Sequence, residues 1–119
     1  MPGVESRDFS APDETRTPDK TTVELVNVGG GQIGRYTFQP GWRWSECIKP
    51  VVGTESCQVE HIGYVVSGQL HVTHEDGSEG DVKPGDVYRI APGHDAHVVG
   101  NEPAGFVEFQ GAANYAKPN

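Results

Sequence analysis

The chain has 119 residues, enough for one small core, and a formal charge of −8 with no Lys/Arg cluster, which argues against a nucleic-acid or anionic-membrane partner. No apolar run approaches the ~18 residues of a membrane span. The N-terminus carries no signal-like apolar region, so the expected compartment is the cytoplasm, where Cys47 and Cys57 are expected as thiols or ligands rather than a bridge.

Residues 1–20 hold prolines and charges without a hydrophobic period, which predicts a flexible N-terminal arm or an edge strand laid over a partner subunit. From Thr21 the texture changes. "TVELVNV" reads as a strand, "GGGQIG" as a turn or bulge, "RYTFQ" as a second strand ended by Pro40-Gly41, and "WRWSECI" as a third. "KPVVGTE" reads as a loop, and "SCQVEHIGYVVS" runs into a strand closed at Ser67-Gly68. "QLHVTH" leads to the hairpin signal Glu75-Asp76-Gly77. Turns at "KPGD", "APGHD" and "NEPA" separate the strands "VYRI", "AHVVG" and "GFVEFQ", and residues 113–119 form a C-terminal tail.

No segment has a helical period. Gly (16) and Pro (9) are spread along the chain rather than clustered. Short strands with frequent turn signals predict an all-β sandwich or small barrel over residues 21–112, with little or no helix. Alternation puts His61, Gly63 and Val65 on one face and Ile62, Tyr64 and Val66 on the other. Both faces are apolar after His61. A strand covered on both sides needs a second layer, and a second copy packed sheet to sheet supplies it, so a homodimer is expected.

"PGDVYRIAPGHDAHVVGN" resembles the second conserved motif of the cupin family, G-x5-P-x-G-x2-H-x3-N, with Gly85, Pro92, His97 and Asn101 in the motif positions. There is one extra residue after Gly85, and His94 stands where a second Gly is usual. The stretch ending at Gly68 resembles the end of the first motif, G-x5-H-x-H-x3/4-E-x6-G, with His61 in the place of its Glu. The resemblance implies a jelly-roll β-barrel, usually dimeric, with one metal held by three His and one Glu.

The His-x-His pair is missing. Counting back from His61 puts Glu55 and Cys57 in its place, or Thr54 and Ser56 with the longer spacer. Counting forward from Gly41 reaches Cys47 and Lys49. Both directions deliver a cysteine. The candidate ligands are therefore His97, whose motif context is intact, then His61, Cys57, Cys47 and Glu55. Thiolate and imidazole suit Zn²⁺ or Fe²⁺, and a carboxylate adds hardness for Fe²⁺ or Mn²⁺. A barrel without any metal stands on an equal footing, since a lone His and free cysteines also serve as plain core residues.

Trp44, Arg43, Tyr64 and His94 are candidates for contact with a small-molecule ligand, with His94 and Asp95 expected on the turn before His97. Trp42 reads as a core or interface aromatic. His71 and His74 fall on opposite faces of their strand, and Arg35 and Arg89 read as surface charges. Three functions follow. One is a small metalloenzyme that oxygenates, isomerises or decarboxylates a small oxygenated or carboxylated compound. Another is a non-catalytic barrel that binds or senses a small molecule. An accessory dimer with a filled interior is the third.

Overall fold

The computed structural model describes residues 3–112 and 115–117. Nine strands and two single-turn helices follow one another: β1 (Glu14–Arg16), β2 (Thr21–Val28), β3 (Gly31–Phe38), α1 (Trp44–Cys47), α2 (Lys49–Val52), β4 (His61–Ser67), β5 (Leu70–His74), β6 (Glu79–Val82), β7 (Val87–Ile90), β8 (His94–Val98) and β9 (Ala104–Gln110). They form a six-stranded sheet, β1-β2-β3-β9-β4-β7, and a three-stranded sheet, β6-β5-β8, with antiparallel pairing throughout. The all-β jelly-roll expectation holds.

Alternation builds the core. Val23 and Leu25 from β2, Tyr36 and Phe38 from β3, Val65 from β4, and Ala104 and Phe106 from β9 all point inward and are buried. Leu70, Ala96 and Val98 close the core from the second sheet. Phe38 stacks on Trp42 at 3.8 Å between ring centroids, and the Trp42 Nε1–H donates to Thr21 Oγ1 at 2.9 Å. This polar handle lets an indole sit in the core without an orphaned donor.

Three expectations change. Strand β3 starts at Gly31, inside the predicted "GGGQIG" turn, because Gly29 and Gly30 take φ of 57° and 80° and close a two-residue hairpin. "WRWSECI" is not a strand. It crosses β8 through an isolated bridge at Arg43 and then coils into α1, and α2 follows within the predicted loop, capped by Gly53 at φ 79°. The arm does not stand off the barrel over its described length. Glu14–Arg16 pairs with β2, Arg7 is ion-paired to Asp13 at 2.9 Å, and Arg16 donates to the Ala112 and Tyr115 carbonyls. Met1, Pro2 and tail residues 113, 114, 118 and 119 lie outside the described residues.

Candidate metal centre

His61 opens β4 and faces the core, 4% exposed. Its strand neighbour β9 supplies Glu108, also buried, whose Oε1 accepts from His61 Nδ1–H at 2.6 Å. The other Glu108 oxygen accepts from the Tyr88 hydroxyl at 2.6 Å. Room for this carboxyl group comes from Gly63. A Cβ there would lie 2.6 Å from the Val107 carbonyl oxygen, 2.7 Å from the Tyr88 hydroxyl and 3.0 Å from Glu108 Cγ.

Cys57 reaches the same point from a different segment. Its backbone forms an isolated bridge with His94: Cys57 N–H donates to the His94 carbonyl at 2.8 Å, and Gly93 N–H donates to the Cys57 carbonyl at 2.7 Å. Glu75 on the β5–β6 turn holds the neighbouring Ser56 hydroxyl, so the hairpin clamps this segment. His94 heads β8, points inward, and donates from Nδ1 to the Ala91 carbonyl at 2.7 Å.

One ligand atom from each of Cys57, His61 and His94 lies within 4.8 Å of the others, and all three residues are buried. The acceptors on the Nδ1 side, a carboxylate and a carbonyl, fix both rings with Nε2 as the nitrogen left to bind. Cys57 Sγ is 3.6 Å from His61 Nε2. This matches the S···N edge of a tetrahedron whose bonds are ~2.3 Å to sulfur and ~2.0–2.1 Å to nitrogen. The donor set fits one ion.

Electrostatics favour the deprotonated thiol. Burial pushes the Cys57 thiol up, but hydrogen bonds and charge from His61 and His94 outweigh it and bring the pKa down to about 6. Burial likewise opposes a charged His61, yet the Glu108 charge and the bonds to Cys57 and Glu108 raise it to about 10. Without an ion the cluster is thus a thiolate–imidazolium pair. Tyr36 and Tyr115 flank His61 at 6.3 and 5.3 Å between ring centroids, and burial raises both phenols.

His61 and His94 line an interior cavity of about 30 Å³, together with Trp44, Tyr36, Tyr88 and Glu108. Cys57 lines a second cleft, of about 280 Å³, beside Ile48, Gln58, Tyr115 and Lys117. Trp44 and Tyr115 line both spaces.

His97, the ligand expected first, is elsewhere. Strand β8 starts at His94, so His94, Ala96 and Val98 face inward while Asp95 and His97 face outward. The His97 ring packs against His71 on β5, 5.4 Å between centroids, and His71 is held by Asp81 at 2.8 Å. Glu55 is exposed and pairs with Lys49 at 3.1 Å, away from the cluster. Cys47 is buried in α1, with its thiol 3.9 Å from Asp19. Both cysteines are free. Among the expected ligand-contact residues, Trp44 lines the interior cavity, while Arg43 is exposed beside Glu46 and Tyr64 lies on the outer face of the sheet. Asp95 ties α1 to β8 by accepting from Ser45 N–H at 3.1 Å. His74 donates to the Pro92 carbonyl at 2.8 Å and lies outside the cluster.

Glu108 was missed, as were Tyr36, Tyr88 and Tyr115. The signal for Glu108 was present: in "GFVEFQ" it alternates with Phe106 and so shares an inward face.

The Cupin domain family model matches residues 34–109. No curated protein matches the sequence. Among solved structures, a protein of unknown function (DUF1255) from Acidithiobacillus ferrooxidans aligns with a TM-score of 0.59 at 18% identity, over 82% of this chain and 86% of that one. A protein of unknown function from Rhizobium leguminosarum gives 0.57 at 21%, over 90% and 97%. KdgF from Halomonas sp. gives 0.54 at 22%, over 80% and 82%. At these identities the likeness is one of fold. With the match running from β3 to β9 across both sheets of the barrel, the chain belongs to the cupin family.

Proposed function

We propose that this chain is a small metal-dependent enzyme acting on a small oxygenated or carboxylated compound, with Cys57, His61 and His94 holding one divalent ion. The observation that carries this is the convergence of one sulfur and two ring nitrogens, with both Nδ1–H groups already engaged behind them. Thiolate and two imidazoles favour Zn²⁺ or Fe²⁺ over Mn²⁺, because the Glu108 carboxylate stands behind His61 rather than among the donors. Three protein donors match a catalytic site with an open position better than a closed structural one. The ion would supply Lewis-acid or redox chemistry at a substrate oxygen.

The protein's own groups do the rest. Glu108 and the Ala91 carbonyl hold the rings in one tautomer and orientation, and Tyr88 anchors Glu108. The interior cavity is too small for an organic substrate. The second cleft, beside Cys57, has the volume for a small compound, and Lys117 on its rim supplies a cation for a carboxylate. Metal content of untagged protein purified without chelators tests the reading. About one equivalent per chain, lost in His61→Ala and in His94→Ala, supports it; no metal in any sample, and no uptake of added Zn²⁺ or Fe²⁺, overturns it. That second outcome favours a metal-free binding or sensor barrel, a reading supported by the thiolate–imidazolium pair, which satisfies the cluster without an ion.

The same reading includes a homodimer. Tyr64, Val66, Val87 and Phe109 are 40–75% exposed and lie on the outer faces of the neighbouring strands β4, β7 and β9. Arg89–Glu60 at 2.6 Å and Arg35–Glu24 at 2.9 Å put both charge signs around this patch. A two-fold axis through it sets Arg against Glu, which suits a second copy better than a partner of one charge sign.

A further inference from the structure

The two ends of the chain meet beside the cluster. Tyr115 is 3% exposed and borders both the interior cavity and the cleft that Cys57 lines. Its ring lies 5.3 Å from that of His61 and 4.8 Å from that of Tyr36, between centroids. It stands beyond the last strand, so no ladder holds it. Glycines seat it instead. A Cβ on Gly34 would lie 2.7 Å from the Ala112 Cβ, and a Cβ on Gly111 would meet the Glu60 carbonyl oxygen.

Arg16 ties this turn down from the other end of the sequence. Its Nη1 donates to the Tyr115 carbonyl at 2.6 Å and to the Ala112 carbonyl at 3.2 Å, and its Nε donates to Glu14 at 2.6 Å. The side chain is 11% exposed, and charge-assisted bonds are stronger out of water. Ala116, the next residue, has φ of 55°. Left-handed backbone is unfavourable for a residue with a Cβ and persists where surrounding contacts impose it. The turn is therefore held against its own preference.

We propose that Tyr115 is a stopper over the Cys57 thiol and Arg16 its latch, so that the N-terminal strand controls access to Cys57 from the cleft. Glu14–Arg16 is a three-residue strand at the end of its sheet, where local opening is easiest. Withdrawing it removes the bonds to both carbonyls. The strain at Ala116 then favours release of the turn, and Cys57, 3% exposed while the turn is seated, is uncovered. This device goes beyond the metal reading and needs no ion.

Alkylation of Cys57 by iodoacetamide in chelator-treated protein, followed by peptide mapping, reads the opening. Arg16→Ala should label about tenfold faster or more, the effect of losing hydrogen bonds to a charged group at a closed site. Arg16→Lys keeps the charge but not the two-carbonyl fork, and should fall between that variant and the parent. Tyr115→Ala should label at least as fast as Arg16→Ala. Ala116→Gly removes the strain and keeps the latch, and should label no faster than the parent. Amide exchange in β5, on the other sheet, should match the parent in both Arg16 variants, because the release is local. Equal labelling in the parent and both Arg16 variants overturns the proposal. Faster labelling matched by faster exchange in β5 also overturns it, since that is loss of the fold. With the chelator present, the result is separate from the metal reading: the latch can fail while Cys57, His61 and His94 still take up an ion, and can hold where they take up none.

Discussion

His61 Nδ1 and Glu108 Oε1 lie 2.6 Å apart between neighbouring strands β4 and β9, with both side chains 5% exposed. This contact fixes which His61 nitrogen faces Cys57. A carboxylate behind a ligating imidazole raises its basicity and holds its plane, and its loss typically costs 10–100-fold in metal affinity. Glu108→Gln keeps the shape and removes the charge. A chelator competition should show Zn²⁺ affinity lower by roughly that factor; equal affinity in the two proteins would mean that Glu108 serves packing alone.

The two histidines of β8 should behave in opposite ways. His94 faces the cluster and His97 faces His71 on the outer surface. Metal uptake should be lost in His94→Ala and kept in His97→Ala, as measured by elemental mass spectrometry. Uptake lost only in His97→Ala would show that the strand register differs in solution.

The metal-free protein should carry a thiolate at neutral pH. Cys57 is depressed from 9.0 to about 6, so its contribution to stability is full above 9.0 and lost as pH falls through about 6. His61 is raised from 6.5 to about 10, so its contribution is full below 6.5 and lost as pH rises through about 10. The two trends cancel between 6.5 and 9.0, which predicts a flat stretch there and a fall on both sides. Thiolate absorbance in the ultraviolet, referenced to Cys57→Ser, should appear near pH 6 in folded protein. Appearance only near the ordinary thiol value would show that the His61 pairing does not form.

Gly63 makes the site possible by having no side chain. A methyl group there meets the Val107 carbonyl, the Tyr88 hydroxyl and Glu108 at once. Gly63→Ala should destabilise the fold by about 1–3 kcal/mol, visible in thermal or urea unfolding, and weaken metal binding in parallel. An unchanged midpoint would show that β9 moves aside at little cost.

The apolar outer face should govern assembly. Val87→Asp combined with Phe109→Lys puts charge on the patch without touching the interior. Light scattering should report a shift from dimer to monomer with the melting profile of the barrel kept. A double variant that remains dimeric would place the interface elsewhere.

Much of the barrel was legible in the residues because strand alternation and turn chemistry are local. "HIGYVV" alternates, and the structure buries His61, Gly63 and Val65 together. Asp76-Gly77 closes a hairpin, with Gly77 at φ 92°. "WRWSECI" misled because its two tryptophans alternate as in a strand, while their burial comes from a turn and a helix start packed across the barrel mouth.

The ligand set was legible only in part. Cys57 and His61 stood at family positions that their own segment supplies. Choosing between His94 and His97 depends on where β8 begins, and the backbone bridge to Cys57 sets that start, not the motif count. A slip of one residue in a strand moves every side chain to the opposite face, so spacing alone does not separate two histidines three apart. Glu108 becomes part of the site only because β9 is inserted between β3 and β4, 47 positions along the chain from His61. The residues themselves pointed to an all-β barrel and brought His61 and a cysteine, Cys57 or Cys47, into the candidate set. The tertiary structure decided which donors meet, because their meeting depends on strand order and register across the sheets.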